Sequence, residues 1–150
     1  MNRRIFVLGC LLVVTLIASS QEDRTFKVTQ VGQRRIVRGK VKQREKLSKP
    51  DFLYVIVYNE TDGIIRFKNS RASVLHLELP AIDKKVKYDA DGDLMVSTSY
   101  KTIDEDDTRG LVIFIEYPEL GIGNLIVIYK NVSLEFYLVE IDLETLICKH

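Results

Sequence analysis

Cysteine and histidine are almost missing from this chain. Among 150 residues there are two of each: Cys10, Cys148, His76 and His150. Cys10 falls in a segment that reads as a leader, so Cys148 remains alone in the rest of the chain. No internal disulfide can form, and the fold has to hold by core burial instead of the stapling usual in small secreted scaffolds. A leftover thiol in a secreted chain implies either a disulfide between two copies, giving a homodimer through Cys148, or an unpaired sulfur. Two histidines fall short of a zinc site, which wants three or four ligands at recognisable spacing. Only Cys148 and His150 lie close together. Gly-x-Ser-x-Gly and phosphate-cradling glycine loops are also absent, and "GIG" (121–123) lies between apolar strands, where a turn is the default. No catalytic residue, metal or cofactor is expected, and the chain reads as a non-enzyme, although a nucleophile and base that meet only in space leave no local trace. Helical spacing with proper caps is missing outside the leader and a short "ETLIC" (144–148). There are no internal repeats or low-complexity tracts.

What is present begins with "MNRRIFVLGCLLVVTLIASSQED". Arg3 and Arg4 precede an apolar run over 5–17, and Ala18-Ser19-Ser20 supplies small residues at a cleavage site. That is the layout of a secretory signal peptide over 1–20. The apolar run is shorter than the roughly 20 residues that span a bilayer, so no stable membrane anchor is expected. Cleavage after Ser20 leaves a single domain, 21–150, with Gln21 able to cyclise to pyroglutamate.

Net charge is close to zero, but its distribution is not even. Residues 24–49 hold ten basic side chains and one acid, Glu45, whereas 50–150 hold ten basic and eighteen acidic ones. The preferred reading sets the basic segment against the acidic face of its own domain. The alternative is a basic surface for an anionic partner. Nucleic acid is not expected to be a partner of the secreted form.

The segments between turn signals are rich in Val, Ile, Leu, Phe and Tyr. "FKVTQV" (26–31) alternates. "RRIVRGKVKQRE" (34–45) is a polar strand in which Gly39 marks a bulge or bend. "FLYVIVY" (52–58), the turn "NETDG" (59–63) and "IIRFK" (64–68) read as a hairpin. "SVLHLEL" (73–79) stops at Pro80, and "KKVKYDADGDLMVSTSY" (84–100) reads as strand, acidic turn, strand. After the charged loop "IDEDDTRG" (103–110) come "LVIFIEY", "LIVIYK" and "VSLEFYLVEID". Pro118, Gly121, Gly123, Asn124, Lys130 and Asn131 interrupt this apolar block at strand length, and a spanning helix would have to bury Glu116, Glu119 and Lys130 in lipid. Two-faced strands such as "LIVIY" suit a sheet covered on both sides. Eight to ten short strands at this spacing predict an all-β fold, a single antiparallel β-sandwich or barrel-like domain.

"DADGD" (89–93) invites a calcium reading, but an EF-hand loop needs glycine at its sixth position and glutamate at its twelfth, and Leu94 and Tyr100 stand there. A solvated hairpin turn is the better assignment. "DEDD" (104–107) likewise admits weak calcium binding, but a charged loop is the better assignment. Two N-glycosylation sequons are legible, at Asn59 in the hairpin turn and at Asn131 between the last two strands.

The order of features from Val31 to Ile141 resembles the multiprotein bridging factor 2-like family of small secreted insect proteins. Gly32-Gln33-Arg34 matches an early Gly-x-Arg, "DEDDTRG" matches an acidic loop closing on glycine, and "LGIG" stands where the family has Gly-Gly-x-Gly. "NLIVIYKNVSLEFYLVEI" matches the closing pair of apolar strands. Leu120 replaces the first glycine of the turn, a glycine of the last strand pair is absent, and an extension carries Cys148. The resemblance implies an extracellular protein without enzymatic activity, and no binding residue is carried over from it. The co-activator role in the family's name implies a nuclear route at odds with the leader.

The expectation is therefore a secreted, extracellular, non-enzymatic β protein that binds an unknown protein or small ligand. Two alternatives stand beside it. One is a carrier of a small hydrophobic ligand in a barrel interior. The other is a transcription co-activator acting through 24–49.

Overall fold

Alternation of apolar and polar residues is the pattern of a strand with one buried and one wetter face. In a computed structural model, which describes residues 23–44, 47–51, 53–68 and 73–142, it organises nearly the whole chain. The strands are β1 (Arg24–Val37), β2 (Lys40–Arg44), β3 (Val55–Asn59), β4 (Ile64–Lys68) and β5 (Ser73–Leu77). They continue with β6 (Asp83–Tyr88), β7 (Leu94–Asp104), β8 (Arg109–Tyr117), β9 (Ile122–Ile128) and β10 (Val132–Glu140). No helix occurs among the described residues. The all-β expectation holds, and the choice between sandwich and barrel falls to the barrel.

Every strand pair is antiparallel, and the ladder runs β10-β9-β8-β7-β5-β4-β3-β1. It closes because β1 also pairs with β10, from Phe26 opposite Glu140 to Arg35 opposite Val132. The result is an eight-stranded up-and-down barrel in chain order. β2 and β6 stand outside the ring, extending β1 and β7.

Residues 26–31 and 34–37, two segments in the sequence reading, form one strand. The break falls at Arg38-Gly39, both with positive φ (52° and 72°), which turn the chain into β2. Gly39 thus ends a strand and does not bulge one; the register slip in β1's pairing with β10 lies at Val28/Gln30. β3 starts at Val55, later than the apolar run suggests. The "LIVIY" strand is not covered on both sides. Leu125 and Val127 are 1% exposed inside the barrel, while Ile126 and Ile128 lie half-buried on its outer wall.

The interior is filled by one inward residue after another: Phe26, Ile56, Tyr58, Ile65, Phe67, Leu75, Val112, Phe114, Leu125, Phe136 and Leu138. Phe114 meets Phe26 and Tyr58 edge-on, with centroids 5.4 and 4.9 Å apart. Each such ring or aliphatic side chain contributes about 1.5–3 kcal/mol on burial. Around Phe26, Ile56, Tyr58, Phe114 and Leu138 no space remains for a water molecule.

Candidate functional site

A barrel has two ends, and here they differ in chemistry. At one end Arg24, the first residue of β1, lies over the Phe26 ring, 5.1 Å from its centroid. Its guanidinium forks onto Glu140 of β10, with Nε to Oε1 at 2.8 Å and Nη2 to Oε2 at 2.9 Å, and its Nη1 bonds Glu116 of β8. A planar fork facing a carboxylate is the geometry in which arginine binds best. The Glu140 and Glu116 bonds raise the Arg24 pKa further, against the opposing effect of burial, and the Arg24 bond holds Glu140 below the usual carboxylate range. Beside this cluster the Tyr58 and Tyr100 hydroxyls bond at 3.0 Å, and Tyr100 donates to Glu60 at 3.3 Å. Burial is the main cause that lifts both phenols above their ordinary pKa, so both stay neutral donors. Charge and hydroxyls seal this end.

Among the described residues, nothing covers the opposite end. Tyr54, Phe67 and Phe136 form a cluster of rings, with Phe67 and Phe136 centroids 5.4 Å apart and Tyr54 about equally distant from both, at 6.3 and 6.0 Å. Above them lies a cup of about 200 Å³, walled further by Leu75, Val127, Tyr129 and Leu134. Among the described residues, the turn between β7 and β8 brings Asp104, Glu105 and Asp106 to its rim. Asp104 Oδ1 accepts the backbone amides of Asp106 (2.9 Å) and Thr108 (2.8 Å), which fixes the turn. Gly110 makes room for the wall: a Cβ there would lie 2.7 Å from the Ile128 carbonyl oxygen and 3.2 Å from the Tyr129 ring. The glycine that closes "DEDDTRG" therefore lets one edge of the Tyr129 ring approach β8 closely. Burial, then the charge of Asp104, raises the Tyr129 phenol, and burial raises that of Tyr54.

The residues singled out from the sequence fall elsewhere. Asn59 ends β3 half-buried, and its amide nitrogen donates to Asp23 Oδ1 (2.8 Å) and Asp62 Oδ2 (3.1 Å). Asn131 is exposed in the β9–β10 turn. Cys148, His150, "ETLIC" and the segment 1–20 expected to be a signal peptide lie outside the described residues. His76 points outward from β5. "DADGD" is a hairpin turn in which Asp89 Oδ1 accepts the amides of Asp91 and Asp93, both at 2.9 Å. Among the described residues no group of three His, Cys, Asp or Glu could hold a metal.

The basic segment does meet acids of its own domain, through Arg24 and through Arg34, whose Nη2 lies 2.8 Å from the buried Glu135. Gly32 of the same Gly-x-Arg stretch leaves room for Leu47, whose Cδ2 would be 2.8 Å from an added Cβ. Sequence reasoning missed the cup because its walls come from β4, β5, β9 and β10, with Tyr54 just before β3 and Tyr129 just after β9. Only the acidic rim left a contiguous signal.

Fold and site together define a class: an eight-stranded antiparallel barrel, sealed by ions at one end and cupped at the other. No protein-family model, curated protein or solved structure matches this chain.

Proposed function

We propose that this chain is an extracellular binding barrel without catalytic chemistry of its own, and that its open end takes a small, mainly apolar ligand. The observation that carries this reading is the cup: below it the interior is packed solid, yet here about 200 Å³ is left beside four aromatic rings. A purely structural barrel gains by filling such a space, since cavity walls lose dispersion contacts. Few polar groups among many apolar ones is the usual make-up of a ligand pocket. The leader over 1–20 supports an extracellular setting, and the resemblance to small secreted insect proteins without enzymatic activity agrees with it.

The test uses the secreted full chain. Native mass spectrometry is expected to detect a co-purified small molecule, or else an added apolar fluorescent probe binds with a stoichiometry of one. Leu134→Trp fills the cup from β10 and is expected to abolish probe binding while the far-UV spectrum stays that of the parent. Probe binding that survives Leu134→Trp in a folded protein puts the ligand elsewhere and ends this reading.

A further inference from the structure

The cup is apolar in its depth and acidic at its rim, and the two halves are differently provided with partners. Asp104, Glu105 and Asp106 line the mouth, with Asp107 beside them in the same turn at a φ of 57°. Among the described residues, no lysine or arginine forms an ion pair with any of the four, whereas Arg24 and Arg34 answer Glu116, Glu140 and Glu135. The rim is also held in place, because Asp104 Oδ1 is bonded by two backbone amides.

Resting on the binding reading above, we infer that the cup selects a cationic ligand: an amine carrying one aromatic ring on a short carbon arm. The ring stacks among Tyr54, Phe67 and Phe136, and the ammonium meets the carboxylates of the rim. Two observations fix this chemistry. The first is size. A dry cavity of about 150 Å³ admits benzene, and pockets for drug-sized ligands measure about 300–1,000 Å³. A space of about 200 Å³ suits one ring with an arm of two or three carbons. The second is sign. Rim carboxylates attract an ammonium and repel a carboxylate, and aromatic faces add cation–π attraction for a positive group near them. A fatty acid would have to bring its negative head to this acidic lip. The Tyr129 wall lies within reach of the same field, since the charge of Asp104 helps hold its phenol neutral.

The test varies charge at constant shape on the unsubstituted full chain: 2-phenylethylamine, 2-phenylethanol and 3-phenylpropionate, titrated by calorimetry. The amine is expected to bind about tenfold more tightly than the alcohol, as a charge-assisted contact would give, and the acid most weakly. The amine's advantage should shrink in high salt. The Asp104→Asn, Glu105→Gln, Asp106→Asn triple variant is expected to bring the amine to the level of the alcohol and to leave the alcohol unchanged. Asparagine keeps the oxygen that caps the turn, and Glu119→Gln in the β8–β9 turn is the control that leaves all three ligands unaffected. Alcohol and acid binding as tightly as the amine overturns the selectivity but leaves the cup as a binding site. Failure of all three to bind overturns this inference, and the probe titration with Leu134→Trp then decides the cup on its own. The ligand series needs no variant, so a triple variant that fails to fold does not rescue the inference.

Discussion

Arg24 joins three strands at a single guanidinium. Its partners Glu116 and Glu140 lie 92 and 116 positions away, so nothing in the local sequence announces the cluster. Arg24 and Glu140 side chains are each about a third exposed (35% and 34%), which places their pair near the surface-bridge range of about 1 kcal/mol. The Arg24 bond lowers the Glu140 pKa in the folded state. Its contribution is therefore complete above the unfolded carboxylate range, near about pH 4.3, and is lost as pH falls through the lower folded value. Glu140→Gln is expected to melt about 4 °C lower at pH 7. The two proteins should converge as the pH is taken toward 3. Parallel melting curves from pH 7 to 3, measured by scanning calorimetry, would remove Glu140 from this role. The inward aromatic residues were legible one by one, since each stands at an alternate position in its strand. Which rings meet was not, because Phe26, Tyr58 and Phe114 come together from three strands.

Turns decided how well each element could be read. The glycines of Asp62-Gly63 and Asp91-Gly92 take the positive φ that such pairs signal, Gly63 at 63° and Gly92 at 88°, and both hairpins were visible in the sequence. The β1–β2 turn was not, because Arg38 occupies a left-handed position, at 52°, that arginine does not signal. A two-residue turn with both φ values positive favours Asn-Gly, and a left-handed conformation costs an ordinary L-residue about 1–2 kcal/mol. Arg38→Asn is therefore predicted to stabilise the protein by up to about 1 kcal/mol, read as a higher urea midpoint at unchanged slope. An unchanged or lower midpoint would mean that the Arg38 side chain gives back what its backbone costs. β6 shows the opposite economy. It is exposed along its whole length, and Lys84, Lys85 and Lys87 on this outlying strand discourage edge-to-edge pairing with another chain.

At the scale of the molecule, strand content was readable and closure was not. Alternation gives the number and type of strands, but a ring and a sandwich share that pattern until a long-range pair decides between them. Here that pair is β1 with β10. The cup follows from closure, so it could not be read before it. The chain ends of the ring also lie together: the Ile141 amide donates to the Thr25 carbonyl at 2.9 Å. A circular permutant that joins Asp142 to Asp23 by a short Gly/Ser linker, and opens in the 89–93 turn, is predicted to keep the parent's far-UV spectrum and its cooperative unfolding. A molten or aggregated permutant would show that the order of strands in the chain, and not only their arrangement in space, is required.

The same closing pair sets a clock. During synthesis the first strand of the ring leaves the ribosome about a hundred residues ahead of the strand that completes it, the Arg24–Glu140 separation being 116 positions. At ordinary elongation rates that interval lasts roughly 6 to 23 seconds. For that time the edge of β1 that will pair with β10 has its amides and carbonyls answered only by water.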